Sequence, residues 1–393
     1  RFMMEYDSLI ARAAAEMRPS GIRKFFDIAA EMKDCISLGV GEPDFKTPWT
    51  IREAGIDSLQ KGHTWYTSNA GLAELRKEIC TYLKRRFDMD YEPAETLVTV
   101  GGSEAIDMCI RALVNPGDEV LIPEPCFVCY NPITTLTGGV AVPIPLKAEN
   151  GFKLTADELR RAITPKTKLL VFPFPCNPTG AVMRREDMEP LAEVLRETNV
   201  MVLSDEIYAE LTYGHERHVS ISTLPGMRER TIVVNGFSKA HAMTGWRLGY
   251  ACGPQPVIKV MTKIHQSAIM CAPTTSQYAA VTALRSCDSD IESMRDEYDM
   301  RRRYLVQALN GMGLTCFEPQ GAFYVFPCIK KSGLSSDDFC KKLLYSKKVA
   351  VIPGPAFGEC GEGFVRISYS YSIKHLTEAM RRIRQFLDEE CGV

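Results

Sequence analysis

Between about residues 48 and 285, short apolar runs rich in β-branched residues alternate with stretches of helical periodicity. This alternation limits the fold of the 393-residue chain more tightly than any other feature. Runs at 97–100, 119–122, 168–172, 201–203, 232–234 and 248–251 read as buried strands. Helical patterns occupy 103–114 and 184–198, the second with Met188, Leu191, Ala192 and Leu195 on one face. Strands that alternate with helices predict an α/β domain with a mostly parallel sheet covered by helices. In such sheets ligands bind outside the carboxyl ends of the strands.

On this pattern residues 1–47 form an N-terminal arm with a helix at 22–32, and 48–285 form a large ligand-binding domain. Residues 286–393 form a smaller α+β domain, to which the arm also contributes. A charged helix at 291–312 is expected to be a rigid connector. It is followed by a strand at 321–326, a helix at 336–346, short strands at 349–352 and 364–367, and a helix from about 374.

Bulk properties exclude several classes. The net charge is −2 with 24% charged residues, so no basic surface points to nucleic acid. No segment approaches the roughly 20 apolar residues that cross a bilayer. The first seven residues carry no apolar signal core, and since the chain does not begin with Met, residues before Arg1 are expected to be missing or trimmed. Fourteen cysteines are scattered through apolar patterns, as at Cys80, Cys109, Cys252 and Cys340, which predicts free thiols in a reducing cytoplasm. Cys126-x-x-Cys129 has no second pair, and His215-x-x-His218 has no nearby thiols, so no metal is expected. Gly39-x-Gly41 superficially resembles a dinucleotide turn, but Pro43 and the lack of a following helix argue against it.

The strand ends carry the chemistry. Gly101-Gly102-Ser103-Glu104 opens a helix after the 97–100 run, and glycines at a helix start let a phosphate approach free N–H groups. Phe127 follows the 119–122 run, and Asn177-Pro178-Thr179-Gly180 follows 168–172. Asp205 and Tyr208 follow 201–203, three apart on one face of an expected helix. Ser238 and Lys239 follow 232–234, with Arg247 eight positions after the lysine. A lysine desolvated at a strand end has a lowered pKa and offers a neutral amine as nucleophile. Phosphate cradle, flat aromatic, amide, carboxylate, phenol, amine and guanidinium at one sheet edge match one cofactor, pyridoxal 5'-phosphate.

The motifs Gly-Gly-Ser-Glu-Ala, Asn-Pro-Thr-Gly, Ser-Asp-Glu-Ile-Tyr and Ser-Lys-x-x-x-Met-Thr-Gly-Trp-Arg-Leu-Gly occur here in that order. Together they resemble the class I/II pyridoxal-phosphate aminotransferases of fold type I. The likeness is closest to prokaryotic aromatic and broad-specificity enzymes, supported by the motif from Ser20 to Phe26 and by Gly245-Trp246-Arg247. The resemblance implies that Lys239 is the Schiff-base lysine, which also moves the proton between substrate Cα and cofactor. It implies that Asp205 opposes the ring nitrogen, Tyr208 and Asn177 bond the ring oxygen, and Phe127 stacks on the ring. Gly101, Gly102, Ser103, Ser238 and Arg247 resemble the phosphate-binding set. Arg366 resembles the arginine that grips the substrate α-carboxylate, with Gly41 and Asn177 beside it. Tyr66 resembles the tyrosine that reaches the neighbouring subunit's cofactor, which implies a homodimer with shared sites.

Two positions depart from relatives. Gly236 stands where some carry a phosphate-binding Ser, so the backbone and Arg247 must suffice. Ser103 stands where some aspartate-preferring relatives carry Lys, which weakens an aspartate-specific reading. Ile22 and Phe25, near the expected entrance, suit an aromatic substrate side chain. The leading expectation is transfer of an amino group from an aromatic or similar L-amino acid to 2-oxoglutarate. Aspartate-type and N-acetyl-diaminopimelate-type transamination, or C–S lysis on the same fold, are the alternatives. A transcription factor built on this domain would need a helix-turn-helix module, and only about twenty residues precede Ile22.

Overall fold

The computed structural model describes residues 3–18 and 21–393. Arg1, Phe2, Pro19 and Ser20, the last from the motif ending at Phe26, lie outside the described residues. The strands are β1 (Ile36–Ser37), β2 (Thr96–Thr99), β3 (Glu119–Glu124), β4 (Val140–Pro145), β5 (Thr167–Phe172) and β6 (Met201–Asp205). They continue with β7 (Thr231–Gly236), β8 (Gly249–Cys252), β9 (Tyr324–Val325), β10 (Val349–Ala350), β11 (Ile352–Pro353) and β12 (Val365–Ser368). The helices are α1 (Arg12–Ala15), α2 (Gly21–Glu31), α3 (Trp49–Gln60), α4 (Ala73–Phe87), α5 (Gly101–Leu113), α6 (Tyr130–Leu136) and α7 (Ala156–Ala162). After them come α8 (Arg185–Arg196), α9 (Gln255–Ala268), α10 (Thr274–Ser286), α11 (Asp288–Gly311), α12 (Ser336–Lys347) and α13 (Ile373–Phe386).

Seven strands form the central sheet in the order β2-β8-β7-β6-β5-β3-β4. Only β8 runs antiparallel to its neighbours, β2 and β7. The inner strands read as continuous apolar runs because helices cover both faces. Leu121, Leu170, Val202 and Leu203 are fully buried, each worth roughly 1.5–3 kcal/mol of burial. Strand β4 escaped the sequence pattern because it pairs only with β3 and leaves Val140 exposed. Its Pro143 and Pro145 are tolerated at a sheet edge, where no ladder donor is required.

A second core lies in the C-terminal region. Strands β11-β12-β9 form an antiparallel sheet, and β1 from the arm pairs in parallel with β10. The expected strand at 321–326 shrinks to two residues. The charged helix does more than connect. Met294, Tyr298, Leu305 and Leu309 of α11 pack in one cluster with Phe323, Phe339 and Phe386.

Two residues beyond Lys239, the buried ring of His241 packs between Phe237 and Tyr82. Neither ring nitrogen has a hydrogen-bond partner. Burial pushes its pKa down from 6.5 to about 4. Between those pH values the unfolded chain binds a proton that the folded chain refuses, so stability present above pH 6.5 is lost as pH falls toward 4. His241→Phe should flatten this limb: denaturant titrations at pH 7 and pH 4 should differ by about 3 kcal/mol less than in the parent. An unchanged slope would mean the ring is protonated in the folded state.

Candidate active site

A cavity of about 670 Å³ opens at the carboxyl ends of the central strands. Gly41, Gly102, Ser103, Phe127, Asn177, Asp205, Tyr208, Ser238, Lys239, Arg247 and Arg366 all line it. The ends of β2, β3, β5, β6 and β7 thus converge, as the parallel sheet requires, and Arg366 joins them from β12 of the smaller sheet. Tyr66 and Gly101 are not among the lining residues; Tyr66 stands 77% exposed on the surface.

Lys239 follows β7 in a tight turn and is half-buried. Its Nζ donates to the Gly41 carbonyl. Burial lowers the amine pKa from 10.5 to about 8; Arg366 and Arg247 lower it further, and Glu42 and Asp205 oppose. The Tyr208 and Phe323 rings lie 5.9 Å from Nζ.

Asp205 ends β6, and no helix follows it: residues 207–210 are turn. The expected helical face shared with Tyr208 is therefore absent, because the chain turns straight off the strand. Ile207 N–H donates to Asp205 Oδ1 at 3.2 Å and the Tyr130 hydroxyl to Oδ2 at 2.5 Å. Burial raises the Asp205 pKa, while these two donors pull it back. The Tyr208 hydroxyl instead meets that of Tyr324 at 2.9 Å.

The phosphate-type corner is built by close backbone packing. Gly101 has φ +71, open to glycine, and a Cβ there would lie 2.6 Å from Arg247 Nη2. A Cβ on Gly249 would strike the peptide between Gly101 and Gly102 at 2.6 Å, so β8 carries the start of α5 directly on its backbone. At Gly236 a Cβ would lie 3.0 Å from Gly249 Cα, which explains the missing serine. Arg247 itself has φ +50, a costly conformation for a long side chain. It donates only to the Thr244 carbonyl, at 2.9 Å.

Arg366 projects from β12 and is 4% exposed. Nη1 donates to Asn177 Oδ1 at 2.8 Å and Nη2 to the Gly39 carbonyl at 2.5 Å, while Nε has no partner. Tyr324 and Phe357 rings sandwich the guanidinium at 4.4 and 4.8 Å. Among the described residues no carboxylate pairs with it. Gly41 leaves room for the Tyr324 hydroxyl, which a Cβ would approach to 2.5 Å.

Sequence reasoning missed several lining residues, Tyr130, Tyr324, Phe26 and Glu42 among them. Phe26, not Phe25, joins Ile22 at the cavity, because residues four apart share a helix face. Phe25 packs on the second core instead. That spacing could have found it. The Asn177–Pro178 peptide is cis, as the Asn-Pro pair allowed.

Residues 33–383 match the family model for aminotransferase class I and II. The chain belongs to this family. Class I/II aminotransferases depend on pyridoxal phosphate, and the central sheet and its helices are those of their fold type I. The aspartate aminotransferase of Pyrococcus abyssi is 48% identical, over 95% of this chain and 97% of that protein. The aromatic-amino-acid aminotransferase 2 of Thermococcus litoralis is 45% identical over the same shares. The solved structure of the aromatic aminotransferase from Pyrococcus horikoshii superposes with a TM-score of 0.90, at 44% identity, covering 95% of this chain and 100% of that one. This aminotransferase has the polar set its family's cofactor requires: an amine of lowered pKa, a buried carboxylate, and a glycine cradle filled by Arg247.

Proposed function

We propose that the protein transfers an amino group from an L-amino acid, aromatic or broadly apolar in its side chain, to a 2-oxo acid such as 2-oxoglutarate. The observation that carries this reading is Arg366, a buried guanidinium with an orphan Nε and no acid partner, beside an apolar wall of Ile22, Phe26, Val40 and Phe357. Its planar fork suits the α-carboxylate, with Asn177 and Gly41 alongside. Lys239, Arg247 and Arg366 are the cations lining the cavity among the described residues. The reading uses the first as nucleophile, the second for phosphate and the third for the α-carboxylate. None remains in this subunit for a distal carboxylate, so dicarboxylic donors are disfavoured and 2-oxoglutarate as acceptor would need a cation from the second subunit.

When bound, pyridoxal phosphate supplies an aldehyde for the amine and a ring that accepts electrons from substrate Cα. Gly101, Gly102, Ser103, Ser238 and Arg247 would hold its phosphate, Phe127 its face, Asn177 and Tyr208 its ring oxygen, and Asp205 its ring nitrogen. Lys239 Nζ takes the proton from Cα and returns it. We further assign a homodimer in the cytoplasm. Trp49, Trp65 and Tyr66 are 56, 80 and 77% exposed in this subunit, large aromatic side chains suited to burial against a second copy that would receive Tyr66. All fourteen cysteines are free thiols, as a reducing compartment keeps them.

The test is a panel of donors with 2-oxoglutarate and with a monocarboxylic oxo acid. Phenylalanine and tyrosine should exceed aspartate in kcat/KM by about 10-fold or more. Aspartate as best donor, or a response restricted to N-acetyl-diaminopimelate, would overturn the side-chain assignment. Release of pyruvate and sulfide from cystathionine faster than keto-acid exchange would make it a C–S lyase.

A further inference from the structure

Among the described residues no cation forms an ion pair with the carboxylate of Asp205. Its oxygens receive one hydrogen bond each, from Ile207 N–H and from the Tyr130 hydroxyl. The first comes from Asp205's own turn. The second comes from a residue 75 positions away, so only tertiary structure places it. Tyr130 is the first residue of α6 and is 1% exposed. The edge of its ring also meets Phe127, with centroids 6.3 Å apart and planes at 86°. One side chain therefore touches both the residue assigned to the cofactor's face and the residue assigned to its ring nitrogen.

We infer that Tyr130 is a positioning residue: its hydroxyl fixes Asp205 as an oriented carboxylate toward the cofactor's ring nitrogen, and its ring braces Phe127. This rests on the site reading proposed above. The physical need is clear. Burial favours the neutral acid at Asp205, and a neutral acid would not hold a proton on the ring nitrogen. A donor to the carboxylate favours its charged form. Burial and the neighbouring Asp205 charge raise the Tyr130 phenol well above its ordinary pKa, so it stays a donor at any working pH. The titratable groups facing Asp205 are Tyr130, Cys129, Cys176, Glu206, Tyr208 and Lys239. The thiols and Tyr208 are likewise raised by burial and stay neutral. Glu206 disfavours charge at Asp205 and Lys239 favours it. Among side chains, Tyr130 alone donates a hydrogen bond to Asp205 among the described residues.

Tyr130→Phe in the holoenzyme tests this, because it removes one oxygen and keeps the ring against Phe127. A proton on the ring nitrogen draws electrons from the end of the cofactor joined to Lys239. With that proton held less firmly, the pH midpoint of the visible absorbance band should rise by about one unit, and kcat should fall about 10- to 100-fold. KM for the amino donor should change less than about 3-fold, since Arg366 is untouched. Tyr130→His, which keeps a donor, should recover part of both effects. In an Asp205→Asn background Tyr130→Phe should leave the midpoint where it is, because its target is gone. Thr134→Val removes a hydrogen bond to the Tyr130 carbonyl, at 2.8 Å in the same helix, and should move only the melting temperature. A Tyr130→Phe enzyme with the parent's midpoint and kcat overturns the inference, as does an equal shift in the Asp205→Asn background. A parent protein that binds pyridoxal phosphate without any visible band overturns the site reading itself.

Discussion

Lys239→Ala is expected to lower transamination by about 10⁴-fold or more, because in the proposed reaction one amine serves as nucleophile and as proton carrier. The fold should survive. The substitution removes a desolvated amine whose neighbours Arg366 and Arg247 disfavour its charge, and it leaves only the Gly41 carbonyl without a donor. A second readout separates this role from a merely structural one. The amine titrates near 8 rather than 10.5, with burial the largest cause and Arg366 the next. Below that value the amine is protonated and cannot attack. The rate at which apoprotein captures pyridoxal phosphate should therefore rise with pH and level off above about 8. Arg366→Gln removes one depressing charge, so the midpoint should move up. Stopped-flow absorbance measures both rates, and borohydride reduction followed by peptide mapping locates the label. Label on another lysine, or Lys239→Ala activity within about 100-fold of the parent, would remove Lys239 from the mechanism.

The large sheet was legible because a parallel sheet covered on both faces demands uninterrupted apolar runs, and β5, β6 and β7 display them. The convergence of Asn177, Asp205 and Lys239 followed from their common place after those runs. What stayed hidden depends on contacts without a local pattern. Tyr130 lay inside an apolar stretch beside two cysteines, and only the fold brings α6 over the end of β6. Tyr324 meets Tyr208 across 116 positions. A two-residue strand such as β1 is too short for alternation to register. The turn at 207–210 was mistaken for a helix because an acid and a phenol three apart look alike in both settings. Arg366 was found through its motif, but its missing counterion is a property of the packed site alone.

Arg366→Gln should cut kcat/KM by about 10²- to 10³-fold without loss of thermal stability. Four arginines are buried among the described residues: Arg86, Arg301, Arg302 and Arg366. Three meet acids: Arg86 with Glu210 at 2.9 Å, Arg301 with Asp44 at 2.8 Å, and Arg302 with Asp299 at 2.6 Å. Removing one of these leaves a buried carboxylate alone, which costs about 3–5 kcal/mol. Arg366 is the opposite case. It lies between two aromatic rings with neutral acceptors, and burial pushes even its pKa down. The free protein therefore carries a buried charge without an acid partner among the described residues, and in the proposed reading an incoming carboxylate balances it. Gln removes that charge, and its amide can still serve Asn177 or Gly39, so the melting temperature should hold or rise. Mass action supplies the decisive comparison. A dicarboxylate or aromatic carboxylate inhibitor at 100 times its Kd should stabilise the parent by about 2.7 kcal/mol and the variant far less. Arg301→Gln should behave in reverse, with a lower melting temperature and an undiminished response to the carboxylate. If Arg366→Gln melts like Arg301→Gln, the guanidinium is a structural strut, and the α-carboxylate must be held elsewhere.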